Sequence, residues 1–329
     1  TTSTLKQCAD GIDNDSDGLI DLADPGCTDV NDNDETNPII PVTQCYPIKY
    51  TGTTNNKVNI IFVPSGFDGN MSLFRQKVND IYSVFNNYDP LNNSIEDLNV
   101  LYVESENGSY CQLGCGNNIP RALCCNTATA KSISSQCTTG SRQTVVVHNS
   151  PDYAGSGYTN QDVGTTTIHA EAPRISVHEL GHSLFDLGDE YTDSGSTPTN
   201  CPNCDYQGCP KWSSMIGYKG VNCLSFSCMQ GLYYSSELTI MKYLNYNFEE
   251  VNMRASCCAY QKETGSFPTY CSQFNQFSPN NSLIDFCSSA GLLGSNGNAP
   301  QTDYTLENPY EYSFIKDKNG KWKLDSITK

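Results

Sequence analysis

Seventeen cysteines in a chain of 329 residues constrain its fold more than any other feature. A reducing compartment would leave most of them as thiols, whereas an oxidising one turns them into cross-links that hold loop-rich structure together. We therefore expect an extracellular, secreted protein whose signal peptide has been removed ahead of Thr1. The adjacent pairs Cys124-Cys125 and Cys257-Cys258 are expected to bond to different partners, and an odd total leaves at least one thiol, or a bond between chains. Sequons begin at Asn14, Asn70, Asn92, Asn107 and Asn280, as suits a glycoprotein. Lys plus Arg number 19 against 36 for Asp plus Glu, a net charge of -17. That argues against nucleic acid or an anionic membrane as partner, since both select a basic face. No run approaches the roughly 18 apolar residues of a membrane span.

The first 45 residues are set apart by a comb of carboxylates between Cys8 and Cys27. Asp13, Asp15 and Asp17 alternate, Gly18 follows, and Asp21 and Asp24 fall at the ninth and twelfth places counted from Asp13. A hard cation gathers six to eight oxygens around one point; alternate acids curl around it and the twelfth-place acid closes the shell. We expect at least one structural calcium here, with Cys8–Cys27 as a clasp. The loop resembles the calcium loop of EF-hands, with Asp24 in place of Glu. Because Pro25-Gly26 follows at once, it is more similar to the helix-poor loops of thrombospondin type 3 repeats.

Residues 46–290 have the composition of a folded domain, with an upper half to about residue 182 and a lower half after it. Lys57–Pro64, Leu98–Val103 and Thr144–His148 read as strands, and Ser72–Asn86 has helical spacing. This order points to a mixed α/β half. Cys111–Cys137 reads as a cysteine-dense insertion. After Asp189 the pattern favours disulfide-held loops and a helix near 247–259. Residues 291–329 read as a linker and a β-hairpin about Asn319-Gly320, a candidate for self-association alongside the odd cysteine.

The stretch Ile175-Ser-Val-His178-Glu179-Leu-Gly-His182 carries the chemistry. On a helix His178 and His182 stand one turn apart on one face, so both imidazoles reach a single zinc ion. Glu179 sits beside the first ligand, placed to take a proton from the water that attacks. The chain has four His, and two are spent here. A catalytic zinc needs a third protein ligand and an open position. The metzincin spacing would set that ligand ten residues after the first His, behind a Gly at the seventh. Those places hold Gly188 and Phe185, so Asp189 is the first candidate and Glu190 the second.

His178-Glu179-Leu-Gly-His182 followed by Leu187-Gly-Asp189-Glu190-Tyr191 resembles the signature of the IgA-peptidase family of metallopeptidases. Val58–Phe67, Val145–Asn149 with Tyr153–Tyr158, and Cys228–Tyr243 resemble further segments of that family in the same order. The resemblance implies a metzincin-like α/β (α+β) zinc peptidase domain with a mixed sheet, an active-site helix and disulfide-rich loops, and the small N-terminal calcium module and C-terminal β-hairpin read above flank it. It implies that Met241 lies under the zinc. Thr239-Ile-Met-Lys-Tyr243 is similar to the Met-turn of astacins, which would make Tyr243 the donor to the developing oxyanion. Tyr153, Gly155, Ser156 and Gly157 would form the upper rim of a cleft, offering a strand edge to an extended peptide. The expected function is a secreted zinc endopeptidase acting on extracellular proteins. The alternative is a filament or sheath protein built on the same fold, and a calcium-dependent adhesin ranks third.

Overall fold

The computed structural model describes residues 6–12, 14, 45–51, 56–106, 108–115, 120–138, 142–158, 161–191, 201–228 and 231–293, with the backbone of 311–316 and 322–328. It divides into two compact units, 1–44 and 45–329. In the first, Gln7–Ala9 forms a 3-10 turn that buries Cys8, which is disulfide-bonded. Asp10 Oδ1 accepts hydrogen bonds from the Ile12 backbone at 2.9 Å and from Asn14 at 3.2 Å, a local Asx turn. The expected calcium ligands Asp13, Asp15, Asp17, Asp21 and Asp24, and Cys27 with them, lie outside the described residues.

The second unit begins with β1 (Cys45–Lys49), β2 (Val58–Ser65), α1 (Met71–Ser83), β3 (Leu98–Val103) and the short pair β4 (Cys111–Leu113) and β5 (Leu123–Cys125). It continues through α2 (Thr127–Ser134), β6 (Gln143–His148), β7 (Gly155–Tyr158), β8 (Val163–Thr166) and α3 (Ala172–Ser183). After α3 come β9 (Leu224–Cys228), β10 (Leu232–Tyr234), α4 (Glu250–Thr264) and α5 (Leu283–Ser289). The extended segments 311–316 and 322–328 pair antiparallel with each other.

Six strands form one mixed sheet in the order β1-β3-β2-β6-β8-β7. The four inner strands are parallel, and β1 and β7 join the edges antiparallel. Inner strands of this kind are covered on both faces, which is why β2 is apolar and buried along its length. Alternation sorts its side chains. Val58, Ile60 and Phe62 join Phe74, Val78 and Ile81 of α1 and Val177 and Leu180 of α3 in the larger core. Ile61 and Val63 face the other way, toward Ala130 and Ile133 of α2 and Leu123 of β5. Asn70 and Asn126 start α1 and α2 by accepting a backbone N–H with their side chains.

Seven disulfides lie among the described residues: 45–137, 111–125, 115–124, 204–228, 209–223, 257–271 and 258–287. Both adjacent pairs reach different partners. Cys201 is buried. Cys204 and Cys209 sit in two of these disulfides.

The half after Asp189 is more helical than its sequence pattern indicates. The helix expected near 247–259 runs Glu250–Thr264, because Glu249 caps its first turn through the backbone N–H groups of Val251 and Asn252. Its weak amphipathicity has a structural cause: ten consecutive residues, Val251 to Tyr260, are buried. Among them Arg254 donates to the Lys211 carbonyl at 2.5 Å and lays its guanidinium 3.8 Å from the Phe286 ring.

Candidate metal centre

Helix α3 has Pro173 in its first turn, where a missing N–H costs nothing, and it is buried from Ile175 to Gly181. Its burial is tight on two sides. A Cβ on Gly181 would come within 2.5 Å of the Met241 sulfur, so the methionine packs directly beneath the turn between the two histidines. On the sheet side, a Cβ on Gly157 would meet the His182 Cβ at 2.5 Å and the Glu179 carbonyl at 2.8 Å. A Cβ on Gly155 would lie 2.7 Å from Glu179 Oε1, and one on Gly157 would lie 3.1 Å from Oε2. The Glu179 carboxylate thus lies against both glycines of Gly155-Ser156-Gly157, which explains that run in an edge strand.

Backbone carbonyls aim the two imidazoles. Ile240 O stands 2.9 Å from His178 Nδ1 and Leu187 O stands 2.6 Å from His182 Nδ1. Carbonyl partners put the protons on Nδ1 and turn both Nε2 lone pairs inward, as metal-binding histidines usually do through a hydrogen bond from their other ring nitrogen. The two Nε2 atoms are 3.1 Å apart, and Asp189 Oδ1 is 3.2 Å from each. These three atoms form a nearly equilateral triangle. A tetrahedral ion at about 2.0–2.1 Å from each ligand holds the ligand atoms roughly 3.3 Å apart. Asp189 Oδ1 is buried and accepts no hydrogen bond, a costly state for a carboxylate unless a cation satisfies it. The donor set therefore fits zinc.

The route from His182 to Asp189 is a turn, not a continuation of the helix. Regular α3 ends at Ser183, and a wide turn follows in which the Phe185 N–H reaches Leu180 O and the Leu187 N–H reaches Gly181 O. Asp186 reverses the chain in the left-handed region, φ 56°. In the metzincin spacing a glycine stands three residues before the third ligand. Asp186 holds that position before Asp189, since Asp tolerates the left-handed region better than other side chains do.

Burial raises the Asp186 carboxyl to about 6, with Lys262 opposing and Asp162 adding to the shift. A carboxyl raised on folding favours the folded state in its protonated form, so this stability is present at low pH and is lost as pH climbs through about 6. Asp186→Asn removes that loss and suits the backbone. It should stabilise the fold at pH 7 by up to about 2 kcal/mol and flatten stability between pH 4 and 7. Thermal melts across that range check it; an unchanged pH profile contradicts it.

Electrostatics around the triangle favour positive charge. Burial pushes the Asp189 carboxyl up, but His182 and His178 outweigh it and hold the group well below the usual carboxylate range. Burial alone would lower His182, and Asp189 overrides it, raising the imidazole to about 9. Glu179 is raised, by burial first, against the lowering influence of the two histidines.

Glu190 has a different environment from its neighbour. It is fully buried and accepts from Thr239 Oγ1, from Asn203 at 3.0 Å and from Asn252 at 3.3 Å. Burial, then Glu249, raises its carboxyl to about 8. It ties the Asp189 turn to Thr239, two residues before Met241, and to α4. The Glu190 N–H donates to Met241 O at 2.9 Å, and the Cys204–Cys228 sulfurs pack on the Asp189 carbonyl.

The other expected residues are more dispersed. Tyr243 is 52 % exposed, and its ring meets Tyr246 and Lys242. Tyr153 is exposed, edge-on to His169. The outer edge of β7 is not open at Gly155. The Gly155 N–H donates to Arg121 O at 3.2 Å, and Ser156 Oγ accepts from the Leu123 N–H at 3.2 Å. The β4–β5 hairpin therefore lies along the rim.

Two residues missed in the sequence belong to the site. Tyr191 places its ring parallel to His178, centroids 6.5 Å apart, with its hydroxyl facing the Asp189 carboxylate. Arg121 sets its guanidinium 5.4 Å over the Tyr191 ring. Tyr191 was legible in Asp-Glu-Tyr; nothing in the sequence brings Arg121, 57 positions before His178, to this place.

Residues 70–205, from the cap of α1 past the Asp189 turn, match the family model of IgA Peptidase M64, a family of zinc metallopeptidases. The resemblance read from the zinc-helix motif and the family match agree. No curated protein matches the chain.

Proposed function

We propose that the protein is a secreted zinc endopeptidase that hydrolyses peptide bonds of extracellular proteins. The observation that carries this reading is the triangle of His178 Nε2, His182 Nε2 and Asp189 Oδ1, the last a buried oxygen that accepts no hydrogen bond, beside Glu179, in a chain that matches a peptidase family. Those three side chains would hold the ion. When bound, zinc supplies Lewis acidity, polarising the attacked carbonyl and making water nucleophilic at neutral pH. Glu179, raised by burial, takes the proton from the attacking water and returns it to the leaving amine. The glycines of β7 leave room for its carboxylate, and Met241 fixes the helix turn from below. By the likeness of Thr239–Tyr243 to the Met-turn of astacins, we assign Tyr243 as donor to the oxyanion. Structural calcium in the first 45 residues is proposed from the sequence alone.

Hydrolysis of casein tests the reading. Activity should disappear when zinc is removed by a chelator and return on adding about one equivalent of zinc. Hydrolysis that persists in thoroughly metal-free protein would contradict it.

A further inference from the structure

We infer that Asn203 is a positioning residue of the zinc site. Its carboxamide holds Asp189 at the third corner of the triangle by fastening the residues on either side of it. The inference rests on the ligand assignment above and deepens it.

The segment that supplies Asp189 has no regular structure of its own. Helix α3 ends at Ser183, and residues 184–191 belong to no helix or strand. No ladder of helix or sheet hydrogen bonds therefore fixes where Asp189 points. One buried side chain does so instead. Asn203 Oδ1 accepts the Gly188 N–H at 2.7 Å, and its Nδ2 donates to the Gly188 carbonyl at 2.8 Å. The carboxamide thus pairs with Gly188 as the backbone of an antiparallel neighbour would. The same Nδ2 donates to Glu190 Oε1 at 3.0 Å, so both flanks of Asp189 are held by one group.

Asn203 is itself firmly referenced to the half of the domain after Asp189. It is fully buried, in a turn tied down from three directions. Lys211 Nζ donates to the carbonyls of Cys201 and Cys204, each at 2.7 Å. Asp205 and Tyr233 exchange both backbone hydrogen bonds, at 3.0 and 2.7 Å. Cys204 is bonded to Cys228, and the two sulfurs pack on the Asp189 carbonyl. The histidines are carried by α3, whereas the third corner is carried by this separate platform.

The residue type follows from the contacts. Gly188 and Glu190 are buried, so their polar groups need partners inside the protein. Asp in place of Asn203 would offer acceptors only and would turn a carboxylate toward the Gly188 carbonyl and Glu190. Leu would fill the space and satisfy none of the three bonds. What depends on the clamp is the placing of Asp189 Oδ1 at 3.2 Å from both Nε2 atoms. A short carboxylate side chain follows its backbone, so freeing Gly188 moves that oxygen away from the common point.

A double-mutant cycle on zinc affinity, read by competition with a chromogenic chelator below the melting temperature of each variant, tests this role. Asn203→Ala should weaken zinc binding by about 10- to 100-fold, the range for partners that orient a ligand. In an Asp189→Ala background the same substitution should change the affinity by less than about twofold, because the residue through which it acts is gone. Val78→Ala, in the core against α1, destabilises the fold elsewhere and should leave zinc affinity unchanged. If Asn203→Ala does not fold, Asn203→Asp takes its place, since it keeps the shape and the bond from the Gly188 N–H. Unaltered affinity in the Asn203 variant overturns the inference. An equal loss in both backgrounds, or an equal loss in Val78→Ala, marks Asn203 as a residue of the fold alone and also overturns it. A parent protein that binds zinc no more tightly than Asp189→Ala sinks the ligand assignment itself, and the inference falls with it.

Discussion

Replacing Glu179 by Gln is expected to lower peptide hydrolysis by roughly two to four orders of magnitude while leaving zinc content and melting temperature unchanged. Gln has nearly the same shape, so it still fits against Gly155 and Gly157, where the space beside Glu179 is set by the absence of two Cβ atoms. What it loses is the ability to accept and return a proton. The proposed ligand triangle is held by other contacts: Ile240 O and Leu187 O orient the imidazoles, and Asp189 Oδ1 stands 3.2 Å from both. The measurement is casein hydrolysis beside elemental analysis of the same samples. Retained hydrolysis would remove Glu179 from the mechanism. Lost zinc would make it a ligand instead, an arrangement its position within 4.8 Å of the His178 and His182 ligand atoms makes worth testing.

The second large effect separates two adjacent carboxylates. Asp189→Ala should weaken zinc binding by more than the roughly 100-fold typical of losing an outer-shell partner, because it deletes one corner of the triangle. Its effect on the metal-free fold should be smaller, since removing Asp189 also removes a buried oxygen that accepts no hydrogen bond. Glu190→Ala should do the reverse. It strands Thr239, Asn203 and Asn252 in the interior, at about 1–3 kcal/mol for each buried polar group left without its partner. Zinc stoichiometry should stay near one in whatever fraction remains folded. Thermal melts with and without chelator, paired with competition titrations of zinc, distinguish the two profiles. If Glu190→Ala loses zinc while Asp189→Ala retains it, the assignment of ligands is inverted.

Much of this molecule is written in short-range pattern. The apolar runs at Val58–Val63 and Val145–Val147 announce inner strands because burial on both faces demands continuous apolar sequence. His178 and His182 announce their pairing because helical periodicity is local. The third corner was harder. Sequence spacing left Asp189 and Glu190 open; their surroundings differ through a turn whose left-handed residue is Asp186 rather than glycine. Thr239, Asn203 and Asn252 draw Glu190 the other way. Those contacts span up to 62 positions, beyond any local pattern. The hairpin on β7 was illegible for the same reason. Arg121 reaches Tyr191 through disulfides and a single backbone bridge, neither of which leaves a periodic trace. The lower half misled in the opposite sense, because a helix buried nearly all round, like α4, shows little amphipathic pattern to read.

The claim that zinc is held by His178, His182 and Asp189 is tested most directly by X-ray absorption at the zinc edge of the purified protein. The account predicts about one zinc per chain, bound by nitrogen and oxygen at about 2.0–2.1 Å, with two imidazole signatures that fall to one in His182→Ala. A sulfur shell at about 2.3 Å would place the metal among the cysteines around Cys201 instead, and would contradict the account.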